Sequence, residues 1–263
     1  MSFNFLLIIL EGVLSLLFPL FIGYAIDGAM NDRYIGAFGL GMLGLVALVV
    51  GVGRRVFDSR FYASIYEEVG VKVISDHAEH DVSKKSARLG MMKELIEFLE
   101  FSLPELIQSI LSLVGVIAII SILQPPVFWL IILTSILVLF IYWISSARTI
   151  RYNKEVNDEQ EKQVEVVRNN NETDVKYHLA NMMRWNIKLS DMEALNFSLA
   201  WLILMTFLVV SIVVSVEGGL VGYGALFSLI MYVFQYIENV ISLPFFYQNW
   251  LRLKEITSRL SVV

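Results

Sequence analysis

The residues with polar chemistry in this chain are few and stand among long apolar runs. Glu11 sits inside the first of these runs. An ionised carboxylate in hydrocarbon is costly, so it must face a cavity, find a cation or carry a proton. Two readings are open: a proton or substrate site on the inner side of a membrane, or a carboxylate near enough to the interface to be wetted by headgroups. Gln235 and Asn239 are four residues apart and share one face of a helix, with Glu238 beside them. Together with Glu11 they form a candidate substrate pathway; the alternative is polar hydrogen bonding at a helix or dimer interface. Glu105, near the start of another apolar run, reads as a helix-end carboxylate. Asp76-His77-Ala78-Glu79-His80-Asp81 is the one metal-like cluster. His77 and His80 have the spacing to share a divalent ion with a carboxylate. No further ligand stands nearby and His178 is the only other histidine, so a solvated helix end is expected and no metal is assigned.

Cysteine is absent, which removes disulfides, thiolate metal sites and cysteine nucleophiles. No Gly-x-x-x-x-Gly-Lys-[Ser/Thr] loop occurs, so nucleotide phosphates have no backbone cradle. No catalytic residue and no cofactor is assigned, and these 263 residues are not expected to hydrolyse ATP alone. No nucleic-acid partner is expected. Two glycosylation sequons, at Asn171 and Asn196, fall on the cytoplasmic side of the topology below and read as chance matches.

Six apolar stretches must position these groups: Phe3–Ile26, Ile35–Gly53, Leu106–Leu123, Val127–Ala147, Phe197–Val216 and Leu220–Ile237. Each has about 18–24 residues, enough to cross about 30 Å of hydrocarbon at about 1.5 Å per residue. Backbone groups in lipid must be satisfied within the segment, so each stretch is expected to be a helix. With Met1 in the cytoplasm, the outer loops Asp27–Tyr34, Gln124–Pro126 and Glu217–Gly219 contain only Arg33 among the 20 basic residues. Lys and Arg resist translocation, so both termini are expected inside, in the cell (inner) membrane. A signal peptide is the other reading of the first stretch. It lacks a basic n-region, holds Glu11 and has no small-x-small cleavage site after it. Small residues on the second span, from Gly39 to Gly53, suit close helix approach. Aromatics between Tyr223 and Trp250 suit packing and interfacial anchoring.

The inner gaps, about 54–105 and 148–196, are far longer than ordinary connections. In the first, Val56, Phe57, Tyr62, Ile65, Tyr66, Val69 and Val73 recur at helical spacing. In the second, Arg148–Arg168 lacks Gly and Pro and reads as a solvated helix continuing the fourth span. Both gaps are expected to be helical hairpins, turning at Ser83–Gly90 and at Asn169–Thr173, where Asn can stop one helix and cap the next. Ser102-Leu103-Pro104-Glu105 resembles a capping box. A proline within one long third helix is favoured over it, because apolar residues run on both sides.

This plan, with long extensions after spans two and four, resembles the exporter-type (type 1) transmembrane domain of ABC transporters. Leu14–Asp27, with its Pro19, Gly23 and terminal Ile26-Asp27, resembles that family's first span. Asp81–Gly90, then Glu94–Glu100 and Leu103–Ile107, resembles the first cytoplasmic loop returning into the third span. Leu251–Leu260 resembles the helix that leaves the sixth. The resemblance implies an all-α, stand-alone domain of six transmembrane helices without a nucleotide-binding domain. It implies a homodimer or heterodimer with a similar subunit, spans four and five packing on the partner. It also implies short coupling helices, around Asp81–Leu89 and Asp174–Met183, that dock a separate ATPase. Asp81, Lys84, Lys85, Arg88, Asp174 and Tyr177 are the docking candidates, and ATP enters only through that partner. The second gap is shorter than the family's usual one, which counts against docking. Three classes remain: a membrane subunit with a separate ATPase, a gradient-driven transporter of the same fold, and a non-transporting regulatory, scaffold or immunity-type protein.

Overall fold

The computed structural model describes residues 2–75, 82–169, 171–220 and 222–261; side chains are described for these except at 2, 3, 73, 82–88, 91 and 244–261. The chain forms α1 (Ser2–Ala29), α2 (Ile35–Ser75), α3 (Val82–Glu97), a π-helical turn (Phe98–Ser102), α4 (Leu103–Leu123), α5 (Pro125–Glu161), α6 (Gln163–Asn169), α7 (Glu172–Glu217) and α8 (Tyr223–Ser261). No strand occurs among the described residues. Six helical runs are long and apolar enough to cross a membrane. Their apolar side chains turn outward: Ile122 is 80% exposed, Phe38 77% and Trp143 72%. Water does not tolerate so many large exposed apolar groups, whereas lipid solvates them. The chain is an integral membrane protein.

Two compact units are distinguished, Met1–Pro125 with Ile212–Val263, and Pro126–Ser211. In the first, α1 packs against α2, α4 and α8. Pro19 lies inside α1, where it removes a backbone donor from the helix ladder. Side chains of α8 bind the backbone there: Ser228 Oγ donates to the Pro19 carbonyl and the Tyr232 hydroxyl to that of Leu16, both at 2.7 Å. About two turns nearer the end of α1, Asp27 Oδ1 accepts the Gly224 N–H at 2.7 Å and so caps the start of α8. Gly23 and Gly224 permit this approach, since a Cβ on either would overlap the other's backbone. Val116 and Ile120 of α4 and Leu229, Val233 and Ile237 of α8 are buried in this unit.

The second unit is an antiparallel hairpin of α5 and α7, closed by α6. Ile131, Val138, Leu204 and Phe207 are buried along its apolar part. Polar contacts tie the two helices further along. Asn196 Nδ2 donates to Ser145 Oγ at 2.9 Å. Tyr152 lies against Trp185, with ring centres 6.1 Å apart. Beyond them, His178 Nδ1 is 2.9 Å from Glu159 Oε1. At the closing turn Asn171 Oδ1 accepts the Thr173 N–H at 3.1 Å, the cap that the Asn-rich segment implies.

Three details depart from the sequence reading or decide between its options. Ser83–Gly90 is not a turn but lies within α3. Lys84, Lys85, Ala87, Arg88 and Leu89 are good helix formers, and the single Gly90 costs only about 1 kcal/mol. Leu89, Met92 and Ile96 then gain burial against Tyr62 of α2. Ser102 makes no side-chain cap and has helical φ −74° and ψ −37°. The chain passes instead through the π-helical turn, with the Leu103 N–H donating to the Phe98 carbonyl, so helix continues across Pro104. Nor is Arg148–Arg168 wholly solvated: Val156 and Glu159 are buried, because α7 covers one face of this extension.

Candidate functional site

The site begins with a register. A tight turn joins α1 to α2, with Asp32 at φ 56°, a left-handed conformation that Asp tolerates. The Arg33 N–H closes the turn on the Gly28 carbonyl at 2.8 Å. Glu11 lies about 18 residues before this turn and Arg54 about 19 after it. Antiparallel helices therefore bring the two side by side, and Arg54 Nε donates to Glu11 Oε2 at 2.5 Å. The same carboxylate oxygen accepts Gln108 Nε2 of α4 at 2.7 Å. Gly51 leaves room on the other side, where a Cβ would stand 3.4 Å from Glu11 Oε1.

Arg54 serves a second carboxylate. Its Nη1 donates to Asp58 Oδ2 at 3.0 Å, one helical turn on. Asp58 is 3% exposed and its Oδ1 is buried without a hydrogen-bond partner among the described residues. Glu100, in the π-helical turn, accepts from Ser59 Oγ at 2.9 Å. A cleft of about 70 Å³ opens among Arg54, Arg55, Asp58, Glu100, Phe101, Pro104, Glu105 and Gln108. It holds a few waters but not a drug-sized solute, which needs about 300 Å³ or more. Glu105 thus stands in the wall of this cleft, at the start of α4.

The α8 candidates separate. Asn239 joins α4, accepting from Ser109 Oγ at 2.8 Å and donating to Ser112 Oγ at 2.9 Å. Gln235 is half-buried, with Oε1 buried and unpartnered among the described residues. Glu238 is exposed. Helix α4 is the common element: Gln108 holds Glu11 of α1, and the neighbouring Ser109 holds Asn239 of α8.

Among the docking candidates, Asp174 and Tyr177 are exposed near the start of α7. Lys84, Lys85 and Arg88 lie on α3, with side chains outside the described set, and Asp81 lies outside the described residues. So does the cluster Asp76–Asp81 that holds His77 and His80. No group of three His, Asp or Glu side chains arranged for a metal ion occurs among the described residues.

Sequence reasoning missed Arg54, Asp58 and Gln108 because it took Glu11 alone. The available signal was the turn register, which sets an arginine opposite the carboxylate, and the four-residue spacing of Arg54 and Asp58. The cluster pairs the Glu11 and Asp58 carboxylates with one guanidinium, that of Arg54.

The family model of the ABC transporter transmembrane region matches residues 1–224, a range that takes in α1 to α7 and ends at the first residues of α8. No curated protein matches the chain.

Proposed function

The chain belongs to the family of ABC transporter transmembrane regions, and from that premise we propose that it is the membrane-spanning subunit of an ABC-type transport system. In this reading it forms a solute pathway as a dimer with a similar subunit and takes its energy from a separate ATPase. Both termini and both long hairpins face the cytoplasm. Glu11, Gln235, Glu238 and Asn239 belong to the pathway. Lys84, Lys85 and Arg88 with Asp81 in one hairpin, and Asp174 and Tyr177 in the other, belong to the docking tips.

The observation that carries this reading is the braced arm of α5 and α7. From Ser145 to Glu161 the arm extends about 24 Å beyond the apolar part of α5, at about 1.5 Å per residue. It is tied at Ser145–Asn196, Tyr152–Trp185 and Glu159–His178. Its far end presents exposed Asp174 and Tyr177. Ordering such an extension costs conformational entropy, and a rigid lever for a docked motor is the use that repays it.

The test is isolation from native membranes in mild detergent. The expected result is a complex with two transmembrane subunits and an ATPase whose turnover rises with a transported solute. A chain that emerges without an ATPase, and whose Asp174→Arg and Tyr177→Ala variants leave transport unchanged, overturns the proposal.

A further inference from the structure

Asp58 is the carboxylate whose surroundings satisfy only half of it. Oδ2 accepts from Arg54 at 3.0 Å, while Oδ1, in a residue that is 3% exposed, is buried without a partner among the described residues. Arg54 reaches it through Nη1, while its Nε is held by Glu11. Glu11 in turn has Gln108 as a second donor. Two carboxylates thus share one guanidinium, and the less accessible of the two has the fewer donors.

The groups that face this carboxyl come from four elements. They are Glu11 of α1, then Arg54, Arg55 and Tyr62 of α2, then Glu100 of the π-helical turn and Glu105 of α4. Arg55 and Glu105 line the cleft together with Asp58. Four carboxylates, Asp58 included, stand against two arginines, so a proton on Asp58 reduces the formal charge of the cluster from −2 to −1. A buried lone pair without a donor also costs free energy on the order of 1–3 kcal/mol. A dehydrated metal ion does not supply the missing charge, since the described residues contain no three-ligand arrangement for one. The cleft is water-sized, and the ion that fits without its own ligand cage is a proton.

We propose that Asp58 is a proton-binding site, filled from water in the cleft. The step is a single transfer: a hydronium ion in the cleft gives its proton to Oδ1, leaving water and a neutral carboxylic acid. Arg54 keeps its bond to Oδ2 but then has Glu11 as its one ionised partner, so the α1–α2 ion pair tightens as Asp58 neutralises. This site does not depend on an ATPase partner, and it stands or fails separately from the transport reading.

The test is pH-difference infrared spectroscopy on the full chain in lipid nanodiscs. Acidification is expected to produce a carboxylic C=O stretching band that shifts when aspartate carboxyls are isotopically labelled. The band is expected to vanish in Asp58→Asn and to persist in Glu11→Gln and Glu105→Gln. Asp58→Glu keeps a carboxyl at the site and should move the band rather than abolish it, which serves if Asp58→Asn does not fold. A band insensitive to aspartate labelling, or one lost in Glu11→Gln or Glu105→Gln and kept in Asp58→Asn, overturns the proposal.

Discussion

The hydroxyl of Tyr232 donates to the carbonyl oxygen of Leu16, so α8 holds α1 by its backbone just ahead of Pro19. Tyr232 is fully buried, and Tyr232→Phe removes the donor without opening space. Interhelical hydrogen bonds in membranes average about 0.6 kcal/mol and rarely exceed about 2 kcal/mol. Tyr232→Phe should therefore lower stability by about 1 kcal/mol, read as a modest fall in Tm of the detergent-solubilised protein. Ser228→Ala, which removes the donor to the Pro19 carbonyl, should have an effect of similar size.

Close backbone approach at Gly23 and Gly224 is a steeper requirement. A Cβ on Gly224 would overlap the Gly23 carbonyl oxygen and crowd the Asp27 carboxylate that caps α8. Overpacking costs about 1–3 kcal/mol where neighbours can shift, and more where they are backbone. Gly224→Ala should thus cost more than Tyr232→Phe in the same thermal assay. Gly41→Ala is the matched control: its Cβ would meet nothing within 4 Å, so its Tm should stay within error of wild type.

Arg54 compensates two acids, and that gives an unusual mutational signature. Its side chain is 16% exposed, against 29% for Glu11 and 4% for Asp58. Arg54→Ala leaves both carboxylates without their cation, and loss of one partner of a buried pair costs about 3–5 kcal/mol. Partial exposure of Glu11 brings the expectation to the lower end, about 3 kcal/mol. Adding Glu11→Gln to Arg54→Ala should recover part of that loss, although Glu11→Gln alone destabilises. A double-mutant cycle on Tm or on denaturant midpoint reads the coupling. Strict additivity would mean that the pair contributes no interaction energy.

The sequence marked Glu11 as costly but not what makes it tolerable. Apolar length and basic residues locate the helices, because lipid enforces both. Pairing across helices depends on register, and only the short turn between α1 and α2 carries that information. The role of Gln108 depends on how α4 packs between α1 and α8, which periodicity does not encode. The helix over Val82–Glu97 was hidden for another reason: Gly90 and two serines look like punctuation, yet burial of Leu89, Met92 and Ile96 against Tyr62 outweighs them. Asn239, by contrast, makes the interhelical hydrogen bonds that an amide on an apolar helix suggests.

The absence of cysteine makes sidedness directly measurable. Single substitutions Asp32→Cys and Lys162→Cys place thiols at exposed positions, in the α1–α2 turn and at the end of α5. In intact cells an impermeant maleimide should label Asp32→Cys and leave Lys162→Cys unlabelled until the membrane is opened. The reverse pattern would invert the proposed topology and place the α5–α7 arm outside, beyond the reach of a cytoplasmic ATPase.

Glu159 and His178 decide whether the end of that arm behaves as a rigid body. His178 is 4% exposed, and its Nε2 is buried without a partner among the described residues. Its polar anchor among the described residues is Glu159 Oε1 at 2.9 Å, while Lys162 Nζ holds Glu159 Oε2 at 3.1 Å. Glu159→Ala therefore strands a buried imidazole, a loss of about 1–3 kcal/mol. The loss should stay local, because Asn196 with Ser145 ties the same two helices nearer the apolar part. Hydrogen exchange should quicken by about tenfold for each 1.4 kcal/mol lost, across 152–161 and 172–185, with no change across 197–211. Lys162→Ala should leave these rates nearly unchanged, since its ammonium is largely exposed and such pairs contribute little. Uniform acceleration along all of α7 would show instead that the arm opens as one unit and that Glu159 is not its local brace.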